Sequence, residues 1–407
     1  MNLDEIDLRS PEVIRDPYAT FAALRHAHPV WKIPDEQTYV VTTWNEVVEV
    51  SKQPNVFSNH RLAQGSGDPE VEAIMAAGHP EIATLTTNDP PHHSRYRRLV
   101  NSSFTPRAVA RREGQITRIV DELIDGFIDR GEVEWRSEFC NRLPSAVLAE
   151  ILGVNRDRVP DFFRWGYAIT DVVSWNLPRE RLLEARREFV EFQNFFVEEI
   201  ERRRREPGDD MVSELIKARV EGDRPLQMLE LLDLIRAFVT GGNLTTTELL
   251  SLSMTLLLRH PDQFDAVAGD HALIPQMIEE SLRFESPVQW MPRLVERAEG
   301  ARVGGVSVPA GSRVILHFAS ANRDEAHFER PDEFDIFRSS PGHLAFGVGE
   351  HFCVGSALGR AEVRIAYERL LSRVRNIRCA IDPNDIEFEV LTMNRGALRV
   401  PLLFDKI

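Results

Sequence analysis

Residues 346–355 read Phe-Gly-Val-Gly-Glu-His-Phe-Cys-Val-Gly, so one cysteine, Cys353, stands among three glycines, Gly347, Gly349 and Gly355. Glycines let a backbone turn tightly and approach a ligand with no Cβ in the way. The N–H groups of such a turn can point at the sulfur. A helix over Ser356 to Arg364 would add its positive end. Burial alone raises a thiol pKa, whereas direct coordination to a metal deprotonates the thiol outright. The chemistry on offer is a metal-bound thiolate; the plain alternative is a buried structural cysteine in a Gly-rich turn. Phe346 and His351 within the same ten positions make the pattern far more specific than a glycine-rich loop alone.

Three further groups carry reactive or charged types at defined spacing. Gly241-Gly242-Asn243-Leu244-Thr245-Thr246-Thr247 interrupts an apolar stretch from Leu229 to Arg259. Glycine in a helix interior loses about 1 kcal/mol against alanine, and threonine is a poor helix former, so a local rule is broken inside a strong helix. Either the break serves function or it is a notch where another helix crosses. Asp89-Pro90-Pro91-His92-His93-Ser94-Arg95-Tyr96-Arg97 sets His93 and Arg97 one helical turn apart, facing either a carboxylate ligand or solvent. Glu280-Ser281-Leu282-Arg283 places an acid and a base at i and i+3, close enough for an ion pair.

The elements that must position these groups are mostly helices. From about residue 106 to 286 helical periodicity dominates, punctuated by Pro144, Pro160, Pro207-Gly208 and Pro261. The stretch from Leu229 to Arg259 predicts one helix of roughly 45 Å at the usual rise. Val30–Ile33 and Thr38–Val41 read as strands about the turn Pro34-Asp35-Glu36-Gln37, and Trp44–Val50 as a helix. Residues 58–85 lack sustained periodicity and predict a long loop of the kind used as a lid. A β-rich minority, from about 30–42, 294–318 and 377–403, comes from both ends of the chain. That predicts a mainly α protein with a minor β-sheet region, one interlocked domain over residues 1–407.

Composition excludes several classes. The chain has 407 residues, 43% of them hydrophobic, enough for a large core. Lys and Arg number 49 against 64 Asp and Glu, a net charge of −15 that disfavours nucleic acid as a partner. The three cysteines, Cys140, Cys353 and Cys379, are odd in number and widely spaced, arguing against a disulfide framework and a multi-cysteine zinc site. An acidic start, Met1-Asn2-Leu3-Asp4-Glu5, lacks a signal-peptide h-region, and no apolar run approaches the roughly 20 residues needed to span a bilayer. A soluble, cytoplasmic protein is expected.

At every fixed position the Cys353 loop resembles the haem-binding loop of the cytochrome P-450 superfamily, and the likeness extends over nearly the whole chain. The resemblance implies a single P-450-type fold, with haem b (iron protoporphyrin IX) between a long distal helix and the helix after the Cys loop. It implies Cys353 as the thiolate ligand, with Phe346, Gly347, Gly241 and Gly242 beside the cofactor. His93, Arg97, Arg293 and His351 match the family's contacts to the haem propionates. Glu280 and Arg283 correspond to its Glu-x-x-Arg pair, completed by the downstream loop around Arg330. Thr245 matches the threonine that serves oxygen activation.

One departure stands out. The family usually has Asp or Glu immediately before that threonine, to feed protons inward; here the position is Leu244. General acid help typically contributes roughly 10²–10⁴-fold, so another route is needed: ordered water, Thr245 and Glu248 one turn on, or else peroxide-driven or non-hydroxylating chemistry. By resemblance the protein is a monomeric monooxygenase taking electrons from a ferredoxin and its reductase, with Arg95, Arg98, Arg107, Arg111 and Arg112 as a candidate docking patch. The substrate is expected to be a lipophilic small molecule, terpenoid or steroid-like, against Leu85, Phe238, Gly241, Val288, Trp290, Met291 and Thr392. A non-catalytic haem-binding or sensing module is the alternative.

Overall fold

The computed structural model describes residues 6–60, 68–171, 177–219, 224–339, 342–389 and 393–407. They form two compact units: one built from Met1–Asn59, Val120–Cys140 and Thr245–Ile407, the other from His60–Ile119 and Asn141–Leu244. The first holds all the described strands and the second is helical.

In the sheet-bearing unit, Val30–Lys32, Thr38–Val41, Arg313–Leu316, Met291–Val295 and Phe57–Ser58 make a five-stranded sheet in that order. Thr38–Val41 runs parallel to Arg313–Leu316, with Tyr39 opposite Val314, and its other neighbours pair antiparallel. Every residue of Thr38–Val41 is buried, as expected for a strand covered on both faces. Val41, Val47, Val50, Phe57, Val314 and Leu316 form the core beneath it. The hairpin Ala301–Val303/Val306–Val308 turns on Gly304 and Gly305 at φ +52° and +82°, the left-handed pair that a two-residue hairpin turn demands. A second sheet brings Glu132–Glu134, Pro401–Lys406 and Val374–Cys379 together.

The helical unit centres on Val159–Asp171 and Arg179–Arg205, which lock through Trp165 edge-on against Phe192 (5.7 Å) and Phe196 (6.1 Å). One helix, Met228–Arg259, supplies both units: its first part, to Leu244, belongs to the helical unit and the rest to the sheet-bearing unit. No described helix is long and apolar enough to cross a membrane.

Several expectations are corrected. The expected loop over 58–85 contains a helix, Pro69–Met75, begun by Asp68 as N-cap and Pro69 in the first turn; residues 61–67 lie outside the described residues. Only Val71 of that helix is buried, which is why hydrophobic periodicity missed it. Within the expected helical region sit a strand, Glu132–Glu134, and a π-helical turn, Arg136–Cys140. Among the described residues of the expected strand region 377–403, strands occupy the two ends, with a 3₁₀ turn, Pro383–Asp385, and the isolated bridges Phe388–Ala397 and Val288–Asn394 between them.

Candidate functional site

Cys353 lies in a turn built residue by residue. Gly347 and Gly349 adopt φ +68° and +79°, where a side chain is strained, and a Cβ on Gly349 would come within 2.9 Å of the Ser51 carbonyl oxygen. The turn is held by the Cys353 N–H donating to Phe346 O (2.9 Å) and the Gly347 N–H to Leu344 O (2.8 Å). The Leu344 N–H in turn donates to Asn322 Oδ1 (2.7 Å), anchoring the loop to the core. The helix Ser356–Leu371 begins three residues on, with Gly355 as its N-cap, and a Cβ there would sit 4.0 Å from Cys353 Sγ. The positive helix end beside a half-buried sulfur favours thiolate. Cys140 differs: burial pushes its thiol well up.

This loop fits a porphyrin iron held by one sulfur. The turn presents one half-buried sulfur three residues before a helix start, a single soft donor of the kind such an iron takes.

The same unit shows how three consecutive threonines diverge. Thr246 is buried against the helix after Cys353, where a Cβ on Gly359 would lie 3.6 Å from its Oγ1. Thr247 Oγ1 donates to Cys140 O (3.0 Å). Thr245 is the one left half-buried. Glu248, at 0% exposure, receives Arg136 Nη1 (2.6 Å) and Nη2 (2.9 Å), and Arg136 also donates to Ser251 Oγ (3.1 Å). Both carboxylate oxygens are therefore committed to an ion pair. Gly396 is packed so tightly here that an ideally placed Cβ would overlap Glu248 Oε2. Glu362 on the neighbouring helix is also buried, and burial pushes its carboxyl well above the usual range.

Glu280 and Arg283 form the expected buried pair, through Arg283 Nε and Nη2 at 2.7 Å each. Arg283, 0% exposed, also donates to the carbonyls of Asn322, Pro331 and Glu333. The expected completion by Arg330 is corrected in its side chain: Arg330 is 56% exposed and pairs with Glu333, whereas Arg338 reaches Glu280 (3.3 Å). The loop around Arg330 contributes through its backbone. Arg293 is buried on the strand Met291–Val295, opposite Val314, and donates to Pro292 O (2.8 Å); His351 is half-buried in the turn Gly349–His351. Trp290 is buried, with Val288 and Met291 half-buried around it in sequence. Thr392 lies outside the described residues.

In the helical unit, His93 is buried and Arg97 half-buried on the helix His92–Phe104. The two glycines of the long helix have opposite settings. A Cβ on Gly241 would meet nothing within 4 Å, whereas one on Gly242 would meet Leu148 at 3.2 Å. Asn243 explains the close crossing: its Nδ2 donates to Phe162 O (2.8 Å) and its Oδ1 accepts from Ser145 Oγ (3.0 Å). Gly242 is thus a packing notch and Gly241 faces open space. Gly241→Ala is expected to stabilise the helix by up to about 1 kcal/mol, while Gly242→Ala loses that gain by pressing on Leu148. Thermal unfolding of the two variants checks this.

Leu244 is buried, as are Leu85 and Phe238, the latter tilted on Phe104 at 5.2 Å. The segment leading to Leu85 is clipped at two points that sequence reading missed. Gln193 exchanges two hydrogen bonds with the His79 backbone (2.9 Å each), and Thr84 donates to Asp233. The expected docking arginines also divide. Arg95 is committed to Glu230 (3.0 Å) and Arg112 to Ser103 O (2.8 Å), leaving Arg98, Arg107 and Arg111 exposed. Against the burial that opposes its charge, Arg224, the Gln227 amide and Tyr96 hold Glu230 down to about 2.

Comparison with known proteins gives the family. The Cytochrome P450 family profile matches residues 161–396. Over 394 residues the chain is 39% identical to Cytochrome P450 107B1 of Saccharopolyspora erythraea, covering 95% of each. It is 32% identical to Steroid C26-monooxygenase of Mycobacterium tuberculosis, covering 96% of this chain and 94% of that one. Its fold superposes on Cytochrome P450 CYP109Q5 from Chondromyces apiculatus with a TM-score of 0.87 and 34% identity, covering 100% and 99% of the two chains. The chain belongs to the cytochrome P450 family. It is a P450 monooxygenase, an oxidoreductase that binds haem b through a cysteine thiolate.

Proposed function

We propose that this protein inserts one oxygen atom of O₂ into a lipophilic, steroid-like small molecule, with electrons supplied by a ferredoxin and its reductase. Cys353 is the thiolate that holds the haem iron, and His93, Arg97, Arg293 and His351 hold the propionates by charge-assisted hydrogen bonds. When bound, the haem supplies oxygen activation, with the thiolate pushing electron density to favour O–O cleavage. The observation that carries the reading is the middle of the long helix, where Gly241 lies open and Thr245 half-buried among residues otherwise packed away. Gly241 leaves room for the substrate, and the Thr245 hydroxyl hands protons inward. Leu85, Phe238, Val288, Trp290 and Met291 offer apolar walls that exclude water and receive a carbon-rich substrate. The relative named Steroid C26-monooxygenase supports that substrate class.

Leu244 cannot carry a proton, and Glu248 is fixed by Arg136 on both oxygens. Proton delivery therefore runs through water and Thr245. The same two facts favour a second reading, in which peroxide supplies the oxidant. Steroid turnover driven by reduced ferredoxin, compared with turnover driven by hydrogen peroxide, separates the two. Leu244→Asp is expected to raise the share of electrons that ends in product under ferredoxin, by up to roughly tenfold. Unchanged coupling in a folded Leu244→Asp protein would remove Leu244 as the limit on proton delivery.

A further inference from the structure

Glu279 stands beside Glu280 on the helix Ile274–Phe284, but neighbours on a helix point 100° apart, and the two acids serve different partners. Glu280 takes Arg283 and Arg338. Glu279 takes Arg360 from the helix after Cys353, through Nε to Oε1 (2.6 Å) and Nη2 to Oε2 (2.8 Å). It also takes His343 Nε2 on Oε2 (3.2 Å). The Ala345 N–H donates to His343 Nδ1 (3.2 Å), so Nδ1 is the acceptor and the ring proton sits on Nε2, facing Glu279. The Arg360 guanidinium lies 4.4 Å from the Phe346 ring centre, a cation–π contact. The Phe346 carbonyl in turn receives the Cys353 N–H (2.9 Å). Against the burial that opposes its charge, Arg360 and His343 hold Glu279 down to about 2, so the charge of Arg360 is matched.

We propose that Glu279, Arg360 and His343 are positioning residues for the thiolate. Together they hold the face of Phe346 and the amide of Ala345, and through the Phe346 carbonyl they hold the amide of Cys353. The inference rests on Cys353 being the haem ligand. A purely structural ion pair would not converge on three of the four residues 343–346, all just upstream of the cysteine turn. The Glu279 side chain is also 40% exposed and that of Arg360 34%, and ion pairs this open add little to global stability. The pair's effect is therefore local to the loop, where His343 is 4% exposed.

The test uses the haem-loaded protein, reduced and exposed to carbon monoxide, with conversion of the strongly red-shifted Soret band to a normal-position band followed over time at fixed temperature. Glu279→Ala is expected to convert at least about tenfold faster, as losing a hydrogen bond to a charged group implies. Arg360→Lys, which loses the planar group over Phe346, is expected to follow it, and Glu279→Gln, which keeps an acceptor oxygen, to fall between. A structural role alone would lower the unfolding temperature and haem content while leaving the conversion rate of the folded, haem-loaded fraction unchanged. Wild-type rates in all three variants overturn the proposal. A Cys353→Ala control separates the two readings: a red-shifted band that survives there defeats the ligand assignment, whereas its loss alongside an unchanged Glu279→Ala defeats only the positioning role.

Discussion

Cys353→Ala protein, reduced and exposed to carbon monoxide, is expected to show no strongly red-shifted Soret band, while Cys140→Ala and Cys379→Ala keep it. The expectation follows from the three settings. Cys140 is buried, its thiol pushed up, and the carbonyl of its own residue already receives Thr247. Cys379 ends the strand Val374–Cys379 and pairs with Leu402. Only Cys353 combines left-handed glycines, a half-buried sulfur and a helix start three residues on. Removing the thiolate takes away several kcal/mol of transition-state stabilisation, so oxygenated product should fall on the order of 10³-fold. A band retained in the Cys353 variant would move the ligand to another residue and with it the whole site.

Arg136→Ala is expected to lower stability by about 3–5 kcal/mol, because it leaves the Glu248 carboxylate charged, buried and without its counter-ion. In a chain of this size that is a fall of roughly 4–6 °C in the unfolding midpoint. Replacing both partners with leucine should recover most of the loss, since two apolar groups leave no uncompensated charge. Gly396→Ala should be nearly as damaging as the single change, because its Cβ has no place beside Glu248 Oε2. Calorimetry on the single, double and Gly396 variants checks the set. A double variant no better than Arg136→Ala would show that the damage comes from lost packing rather than from the charge.

Much of this could be read from the chain, and the failures share one physical origin. The helix expected over Leu229–Arg259 is Met228–Arg259, and the first two strands lie within a residue of their expected spans, because periodicity is a local property. The Cys353 turn was legible because glycines at left-handed positions announce themselves. Partnerships made across the chain were not. Nothing in the run Gly241–Glu248 points to Arg136, 112 residues away, and Glu279 with Arg360 is separated by 81. Arg330 and Arg338 share one loop, and only the folded backbone decides which side chain turns inward to Glu280. The three threonines look identical in sequence, yet 100° steps send them to three surroundings.

The sheet-bearing unit is assembled from the first, middle and last parts of the chain, and this has a consequence for biosynthesis. Arg395 donates to the carbonyls of Ile14 and Arg15, some 380 positions earlier, and Pro401–Lys406 closes on Glu132–Glu134. The helical unit is fully translated once Leu244 has left the ribosome, but its counterpart cannot close until the final strand emerges. At ordinary elongation rates that interval is on the order of ten seconds, during which Thr38–Val41 has Val30–Lys32 beside it but waits for its parallel neighbour, Arg313–Leu316. Cys353 itself arrives late in that interval. A thiolate ligand at Cys353 would therefore be presented only after every residue of the helical unit has been made.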